Sequence, residues 1–290
     1  MRQSKLPLNF IFFGEDTFSL AVLQSLVDSG LDLWPLAVAI LEPISVSGRR
    51  LAAYCEDRGI SFIKTRSVCS DEFLAQFDAM VFDLVICAHF QRILPVRLFG
   101  RARLGALNLH PSLLPMYRGM APQHWPIILG DAETGVTVHS IDEGVDTGRV
   151  LRQVRIPLEP DIYIHELQKK FLSAYRIIMV EAVQCLIAGY EGEVQPADGG
   201  AYFHKIRESD MDITPEMGVK RTYGLVRAFS FPYHGARFQN LRIMKAKPVD
   251  EVLWIELRKS VQPASLLVRE GGHYLVLKDG ALEITKWKNA

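Results

Sequence analysis

The chain alternates between short, densely apolar runs and longer stretches in which apolar residues return every third or fourth position. Asn9 to Phe13 is a compact apolar run that stops at Gly14. Phe18, Val22 and Leu26 then recur at helical spacing, and Ser29-Gly30 closes that helix. The succession continues with a strand over Leu36 to Leu41, a helix over Leu51 to Arg58 ended by Gly59, and a short strand over Ile60 to Ile63. A helix over Asp71 to Phe77 and a buried strand over Leu84 to Ala88 follow. Strands alternating with helices imply right-handed βαβ crossovers and a mostly parallel sheet.

The next apolar segment differs in carrying polar residues at fixed phase. Asn108 and His110 are separated by Leu109 and preceded by Leu107. On an extended segment, side chains alternate between faces, so Asn108 and His110 point one way and the leucines point into the core. Pro111 and Pro115 break the pattern, which places the polar pair at a strand end. Strand ends on a rigid sheet are where α/β enzymes place their chemistry. Gly135 to Ile141 alternates like a further strand and leads into Asp142-Glu143-Gly144-Val145-Asp146-Thr147-Gly148. Asp161 to Tyr190 reads as one long amphipathic helix, with Ile164, Leu167, Phe171, Ala174 and Ile178 on one face and Lys169 and Lys170 on the other.

Tyr190 to Gly200, rich in Gly, Pro and acid, is the expected linker, dividing a domain over residues 1–200 from one over 201–290. Beyond it helical periodicity weakens, with one short helix expected over Tyr223 to Phe229. Short alternating runs follow at Leu241 to Lys245, Ala264 to Arg269, Tyr274 to Leu277 and Ala281 to Thr285. Gly271-Gly272 and Asp279-Gly280 are hairpin turn signals between the last three. The fold class expected is α/β: a Rossmann-like, mostly parallel sheet followed by a smaller β-barrel-like domain.

Composition narrows the function classes. The 290 residues are 49% hydrophobic, with 33 basic and 33 acidic side chains and a net charge of zero. Such a chain can bury a substantial core, and it has no global field that would draw in nucleic acid. Cys55, Cys69, Cys87 and Cys185 show no Cys-x-x-Cys spacing, consistent with reduced thiols of a cytoplasmic protein. The N-terminal apolar run is too short for a signal peptide, and no window approaches a membrane span. No grouping of His, Cys, Asp and Glu has metal-ligand spacing, so no metal is expected. The first turn, Gly14-Glu15-Asp16-Thr17, lacks both the Gly-x-Gly-x-x-Gly of dinucleotide folds and the Lys-Ser/Thr of a P-loop.

The remaining chemistry centres on three side chains. Asn108 supplies an amide donor, and His110 titrates near neutrality. If the two strand ends are neighbours, Asp146 can reach His110, and the set suits acyl transfer. With no Ser or Cys nucleophile evident beside them, direct attack by a substrate amine is more natural than an acyl-enzyme. Other assignments stay open from the residues alone. Asp142 competes with Asp146, and Ser112 is either a nucleophile or, more naturally, a turn cap. Arg118-Gly119 is either an anion contact or a plain loop pair. His139 and His124 fit packed or surface positions better than ligand positions.

The run Asn108-Leu109-His110-Pro111-Ser112-Leu113-Leu114-Pro115, followed by Tyr117-Arg118-Gly119, closely resembles the signature of the folate-dependent formyltransferases. Gly135-Val136-Thr137-Val138 and Asp146-Thr147-Gly148 resemble the same family's second motif. Weaker similarity extends to Phe231-Pro232 with Gly235-Ala236, and to Asp279-Gly280-Ala281-Leu282, which favours the two-domain branch. That branch contains methionyl-tRNA and amino-sugar formyltransferases. The resemblance implies transfer of a formyl group from 10-formyltetrahydrofolate to an amine, with Asn108, His110 and Asp146 as the catalytic set. It implies a folate pocket along Phe90, Gln91, Arg92, Ile93 and Leu94 and along Ile141, Asp142, Glu143, Gly144 and Val145. Acceptor contacts are expected from Gly14, Glu15, Ser112, Leu113, Arg118 and Gly119.

The resemblance leaves the acceptor amine to be chosen. Methionyl-tRNA formyltransferases carry a longer basic insertion after the second strand, whereas Glu42 to Arg50 is short and holds two arginines. RNA stems are bound largely through phosphate neutralisation. A small amine, foremost a nucleotide-linked amino sugar, is therefore the expected acceptor, with methionyl-tRNA as runner-up and hydrolysis of the formyl-folate as a third activity. Basic residues of the second domain, from Lys205 to Lys247, are either a binding face or a scatter of solvated charges. A homodimer is left open, and no membrane partner is expected.

Overall fold

A computed structural model describes residues 7–196, 199–269 and 271–289. The first six residues of the N-terminal stretch, and Ala197-Asp198 of the expected linker, lie outside them. The chain forms two compact units. The first holds the chain up to Arg118 together with Gly135–Arg155 and Phe171–Ala201, and the second holds Gly119–Thr134, Ile156–Lys170 and the chain from Tyr202 on.

In the first unit β1 (Leu8–Phe13), α1 (Thr17–Val27), β2 (Leu33–Leu41), α2 (Gly48–Asp57), β3 (Ser61–Thr65), α3 (Asp71–Ala75), β4 (Leu84–Ala88), α4 (Val96–Phe99) and β5 (Ala106–His110) follow in order. A two-residue strand β6 (Arg118–Gly119) and a short helix α5 (Trp125–Leu129) precede β7 (Glu133–Ser140), β8 (Val150–Pro157) and the long helix α6 (Ile164–Ile187). The seven-stranded sheet runs β3-β2-β1-β4-β5-β7-β8. The pairs β1–β2, β2–β3, β1–β4 and β4–β5 are parallel, and β5–β7 is antiparallel. The chain builds outward from β1 in one direction, then returns to place β4 on its other side. That reversal is the topological switch point, where open α/β sheets form a crevice at their strand ends.

The strands are apolar because helices cover both faces of such a sheet. Ile11 and Phe13 join a core of Ala37, Ala39, Val85, Cys87 and Phe73 on one face. Phe10 and Phe12 point the other way and are equally buried. α1 starts where Asp16 accepts from the N–H groups of Phe18 and Ser19 while the Ser19 hydroxyl accepts from the Asp16 N–H, a reciprocal cap.

The second unit adds β9 (Tyr202–Phe203), α7 (Val219–Ala228), β10 (Ala236–Phe238), β11 (Leu241–Pro248), α8 (Glu251–Arg258), β12 (Ser265–Arg269), β13 (Gly272–Leu277) and β14 (Gly280–Asn289). The five-stranded antiparallel sheet has the order β10-β11-β14-β13-β12. Its hairpins turn one residue before the expected dipeptides: Gly272 pairs with Arg269, and Gly280 pairs with Leu277 across Lys278-Asp279. α8 lies in a stretch where no helix is expected. Asp250 caps it through the Leu253 N–H, and Leu257 carries its buried face onto Val276 and Ala281. With one short apolar stripe and exposed Val252 and Ile255, its periodicity is too faint to read from sequence. Gly224 of α7 sits against the Ile127 and Ile128 carbonyls of α5, an approach that a Cβ would block.

Candidate active site

Register brings the polar residues together. In the β5–β7 ladder Asn108 pairs with His139 and His110 pairs with Thr137. Because side chains alternate, all four lie on one face at the exit of the sheet. After β7 the chain turns through Asp142 to Gly148 and returns in β8. The Asp142 carboxylate accepts from the Gly144 N–H and the Thr147 hydroxyl, while Arg149 N–H donates to Ser140 Oγ. These bonds fold the loop back over the strand end, and Asp146 takes a left-handed φ of 56°.

Asp146 thereby faces three side chains at once. Its Oδ2 lies 3.5 Å from His110 Nδ1, and its Oδ1 lies 3.4 Å from His139 Nε2 and 3.5 Å from Asn108 Nδ2. Asn108 Nδ2 is also 3.1 Å from His139 Nε2. The tautomers follow from the neighbouring carbonyls. His139 Nδ1 lies 2.8 Å from the Ser140 carbonyl and so carries the proton, which leaves Nε2 as the acceptor for the Asn108 amide. His110 Nε2 lies 2.8 Å from the Tyr117 carbonyl and must donate to it, which turns Nδ1 toward the Asp146 carboxylate. A carboxylate only accepts, so the gap between Nδ1 and Oδ2 closes as a hydrogen bond when one proton enters it. Burial disfavours the imidazolium and Asp146 favours it; burial prevails, and His110 titrates below the ordinary histidine range. The pair is therefore a vacant proton acceptor near neutrality.

Among the expected pocket residues, Leu94 belongs to the apolar core on one face of the sheet, and Phe90 and Ile141, from the loops after β4 and β7, pack against that same core. Phe90 sets its ring edge-on to Phe13, with centroids 5.2 Å apart. Ile93, Arg92, Glu143 and Val145 are exposed, while Gln91 N–H donates to Glu15 Oε1 at 3.1 Å. Glu15 loses hydration there, and its pKa rises despite that hydrogen bond and the nearby Arg92. Gly14 is buried against Ser19, where a Cβ would collide.

Ser112 and Arg118, expected on the acceptor side, make internal hydrogen bonds in this structure. The Ser112 side chain is fully buried and its hydroxyl donates to the Met116 carbonyl, closing the turn. The buried Arg118 guanidinium donates to Gln195 Oε1 at 2.7 and 3.3 Å instead of facing outward. Leu113 packs against Gly135, and Gly119, in the second unit, runs beside Phe203 at a φ of 92°.

Three participants escape the sequence pattern. His139 reads from sequence as a packed or surface residue because its role depends on the register of β7, which alternation alone leaves free. Gln195 sits in the expected linker, where composition suggests only a spacer. His89 pairs with Asp16, Nδ1 to Oδ2 at 3.2 Å, and stacks on Phe18. Burial opposes charge on Asp16, yet His89 and the cap N–H groups prevail and lower its pKa. Among the described residues, no group of three or more His, Cys, Asp or Glu could hold a metal ion, and no helix is long and apolar enough to cross a membrane.

Comparison with known proteins places this geometry. A family model described as formyl transferase matches residues 42–183. The methionyl-tRNA formyltransferase of Parvibaculum lavamentivorans is 30% identical, over 98% of this chain and 93% of its own. That of Aromatoleum aromaticum is 32% identical over 84% and 79%. Among solved structures, an N-formyltransferase from Helicobacter canadensis, in complex with folinic acid and dTDP-3-aminofucose, superposes with a TM-score of 0.73. It covers 98% of this chain and 100% of its own at 19% identity. A sugar 3N-formyltransferase, WlaRD, superposes with a TM-score of 0.70 at 17% identity, over 97% of this chain and 99% of its own.

Proposed function

This chain belongs to the formyl transferase family and is a formyltransferase, and we propose that it moves the formyl group of 10-formyltetrahydrofolate to the primary amine of a nucleotide-linked amino sugar. The observation that carries the proposal is the convergence of Asn108, His110 and Asp146 at the exit of β5, with an apolar wall from Phe90, Leu94 and Ile141 in the same unit.

The donor supplies an activated formyl carbon, and the acceptor amine attacks it directly, since no Ser or Cys stands in the set. Attack places negative charge on the formyl oxygen and positive charge on the nitrogen. The Asn108 amide, held between His139 and Asp146, is the neutral donor closest to the catalytic pair and turns to the developing oxyanion. The vacant Nδ1–Oδ2 gap takes the proton leaving the nitrogen, and the resulting imidazolium is matched by Asp146. Return of that proton to the departing folate nitrogen completes the transfer. Residues 90–94 and 141–145 hold the folate, and Gly14, Glu15 and Leu113 contribute to the acceptor side. Residues 1–200 serve as the catalytic domain and 201–290 as the accessory one.

Two observations support the sugar: the short segment from Glu42 to Arg50, and the solved relative bound to an aminofucose nucleotide. A second acceptor, methionyl-tRNA, is favoured by the names of the sequence relatives and by the β11–β14 ladder. There Arg242 faces Lys288 and Lys245 faces Lys286; Glu208 already pairs with Arg242 at 2.8 Å, and Lys286 and Lys288 stay exposed as the cations open to an anion. The test is incubation of the protein with 10-formyltetrahydrofolate and, in parallel, an amino-sugar nucleotide, initiator methionyl-tRNA, or buffer alone. Formylated sugar is expected. Formylated tRNA alone would transfer the assignment to the second acceptor, and formate released equally in all tubes would make the enzyme a hydrolase.

A further inference from the structure

We propose that Gln195, locked by Arg118, is a positioning residue that holds the loop of Asp146 in its reactive conformation. The proposal rests on the formyl-transfer reading for its meaning in catalysis, and on geometry for everything else.

Asp146 is a non-glycine residue at a φ of 56°. That conformation is disfavoured for a residue with a side chain, so the loop keeps it where other contacts impose it. Gln195 supplies them. Its Nε2 lies 2.9 Å from the Asp146 carbonyl and 2.7 Å from the Gly148 carbonyl, so each amide hydrogen has one backbone oxygen. The two carbonyls flank the residue pair that follows the left-handed turn, and a single planar amide spans them.

The amide itself has only one workable orientation. Arg118 Nη2 and Nε lie 2.7 and 3.3 Å from Gln195 Oε1, and guanidinium offers donors only. Oxygen must face the arginine, which forces nitrogen toward the loop. Both side chains are buried, at 8% and 7% exposure, so water does not substitute for either. The neighbouring backbone fixes the segment in turn. Glu193 and Val150 exchange N–H···O bonds of 2.8 Å, and Arg149 Nε donates to the Gly192 carbonyl at 2.9 Å. A stretch with the composition of a spacer is thus laced to the catalytic loop.

The isosteres make the proposal testable. Gln195→Glu keeps the size and pairs with Arg118, but sets a carboxylate oxygen against two carbonyl oxygens. Gln195→Met keeps the volume and removes the donors. Both are expected to lower kcat by about 100-fold, the order expected for a displacement of about 1 Å, with KM for the folate little changed. A second readout is the titration of the His110 imidazole by NMR in the ligand-free protein. Asp146, His139, His89 and the Tyr117 carbonyl all bear on His110, and of these Asp146 and the Tyr117 carbonyl favour its charged form. With the loop released, the Asp146 contribution weakens and the midpoint moves to lower pH. Should Gln195→Met fail to fold, Gln195→Glu carries the test, and Arg118→Lys gives a smaller shift in the same direction.

An unmoved His110 midpoint in a folded variant, or an unchanged kcat, would overturn the proposal. Equal loss of folded protein with unchanged turnover per folded molecule would also overturn it, reducing Gln195 to packing. If the unaltered protein formylates no amine, the formyl-transfer reading fails, and the His110 titration still decides the role of Gln195.

Discussion

Asp146 joins two histidines and an amide within 3.5 Å, and each contact asks something different of a substitution. Asp146→Asn keeps the volume but offers no charge to an imidazolium, and His110→Ala removes the proton acceptor. Each is expected to lower kcat by several orders of magnitude in an assay of formyl transfer, with circular dichroism unchanged. Asn108→Ala is expected to cost about 100- to 1000-fold, the usual effect of deleting one oxyanion donor. His124 tests residue-scale electrostatics away from the site. Burial beside Phe229 and Tyr233 pulls its pKa from 6.5 to about 4. A folded-state pKa below the unfolded value means that its stabilisation is complete above pH 6.5 and declines as pH falls toward 4. Between pH 6.5 and about 5 the loss is about 2 kcal/mol. Urea unfolding at the two pH values would show it in the unaltered protein, and His124→Phe would show a smaller dependence.

At the scale of elements, the site is a property of strand ends and the loops they carry. Gly148 passes so close to the Ser140 carbonyl that a Cβ would overlap it. Gly148→Ala must therefore push the loop outward, carrying Asp146 with it. A fall in kcat of about 100-fold, with a smaller loss of thermal stability, is expected; preserved turnover would show that the loop tolerates displacement. Most helices and strands of the first unit are readable because their signals are local: apolar period and the closing glycines. β8 and α5 are not. β8 presents Arg152, Gln153, Val154 and Arg155 largely to solvent, so its sequence lacks the alternation of a half-buried strand. α5 is five residues with proline at its start, too short for a period to show.

At the scale of the whole molecule, the acceptor is the open assignment, and the two units carry separable tests of it. Lys286→Glu combined with Lys288→Glu reverses charge on the exposed edge of the β11–β14 ladder. Formylation of an amino-sugar nucleotide is expected to be unchanged, measured as product per minute at low and high salt. A loss of activity on methionyl-tRNA that is largest at low salt and narrows as salt rises would instead mark that ladder as a phosphate-binding face. The chain's units also cut across its sequence order. Gly119–Thr134 and Ile156–Lys170 cluster with the residues from Tyr202 on, and α6 contributes its first turns to one unit and the remainder to the other. Sequence by itself indicated the α/β class and the alternation of strands and helices up to β5, and the family resemblance singled out Asn108, His110 and Asp146, because periodicity and motifs act over a few residues. Tertiary structure alone decided that β7 runs antiparallel to β5 in the register that pairs His139 with Asn108. It also decided that Gln195 returns to grip the loop of Asp146. Contacts between residues distant along the chain depend on register and closure, which no short window of sequence encodes.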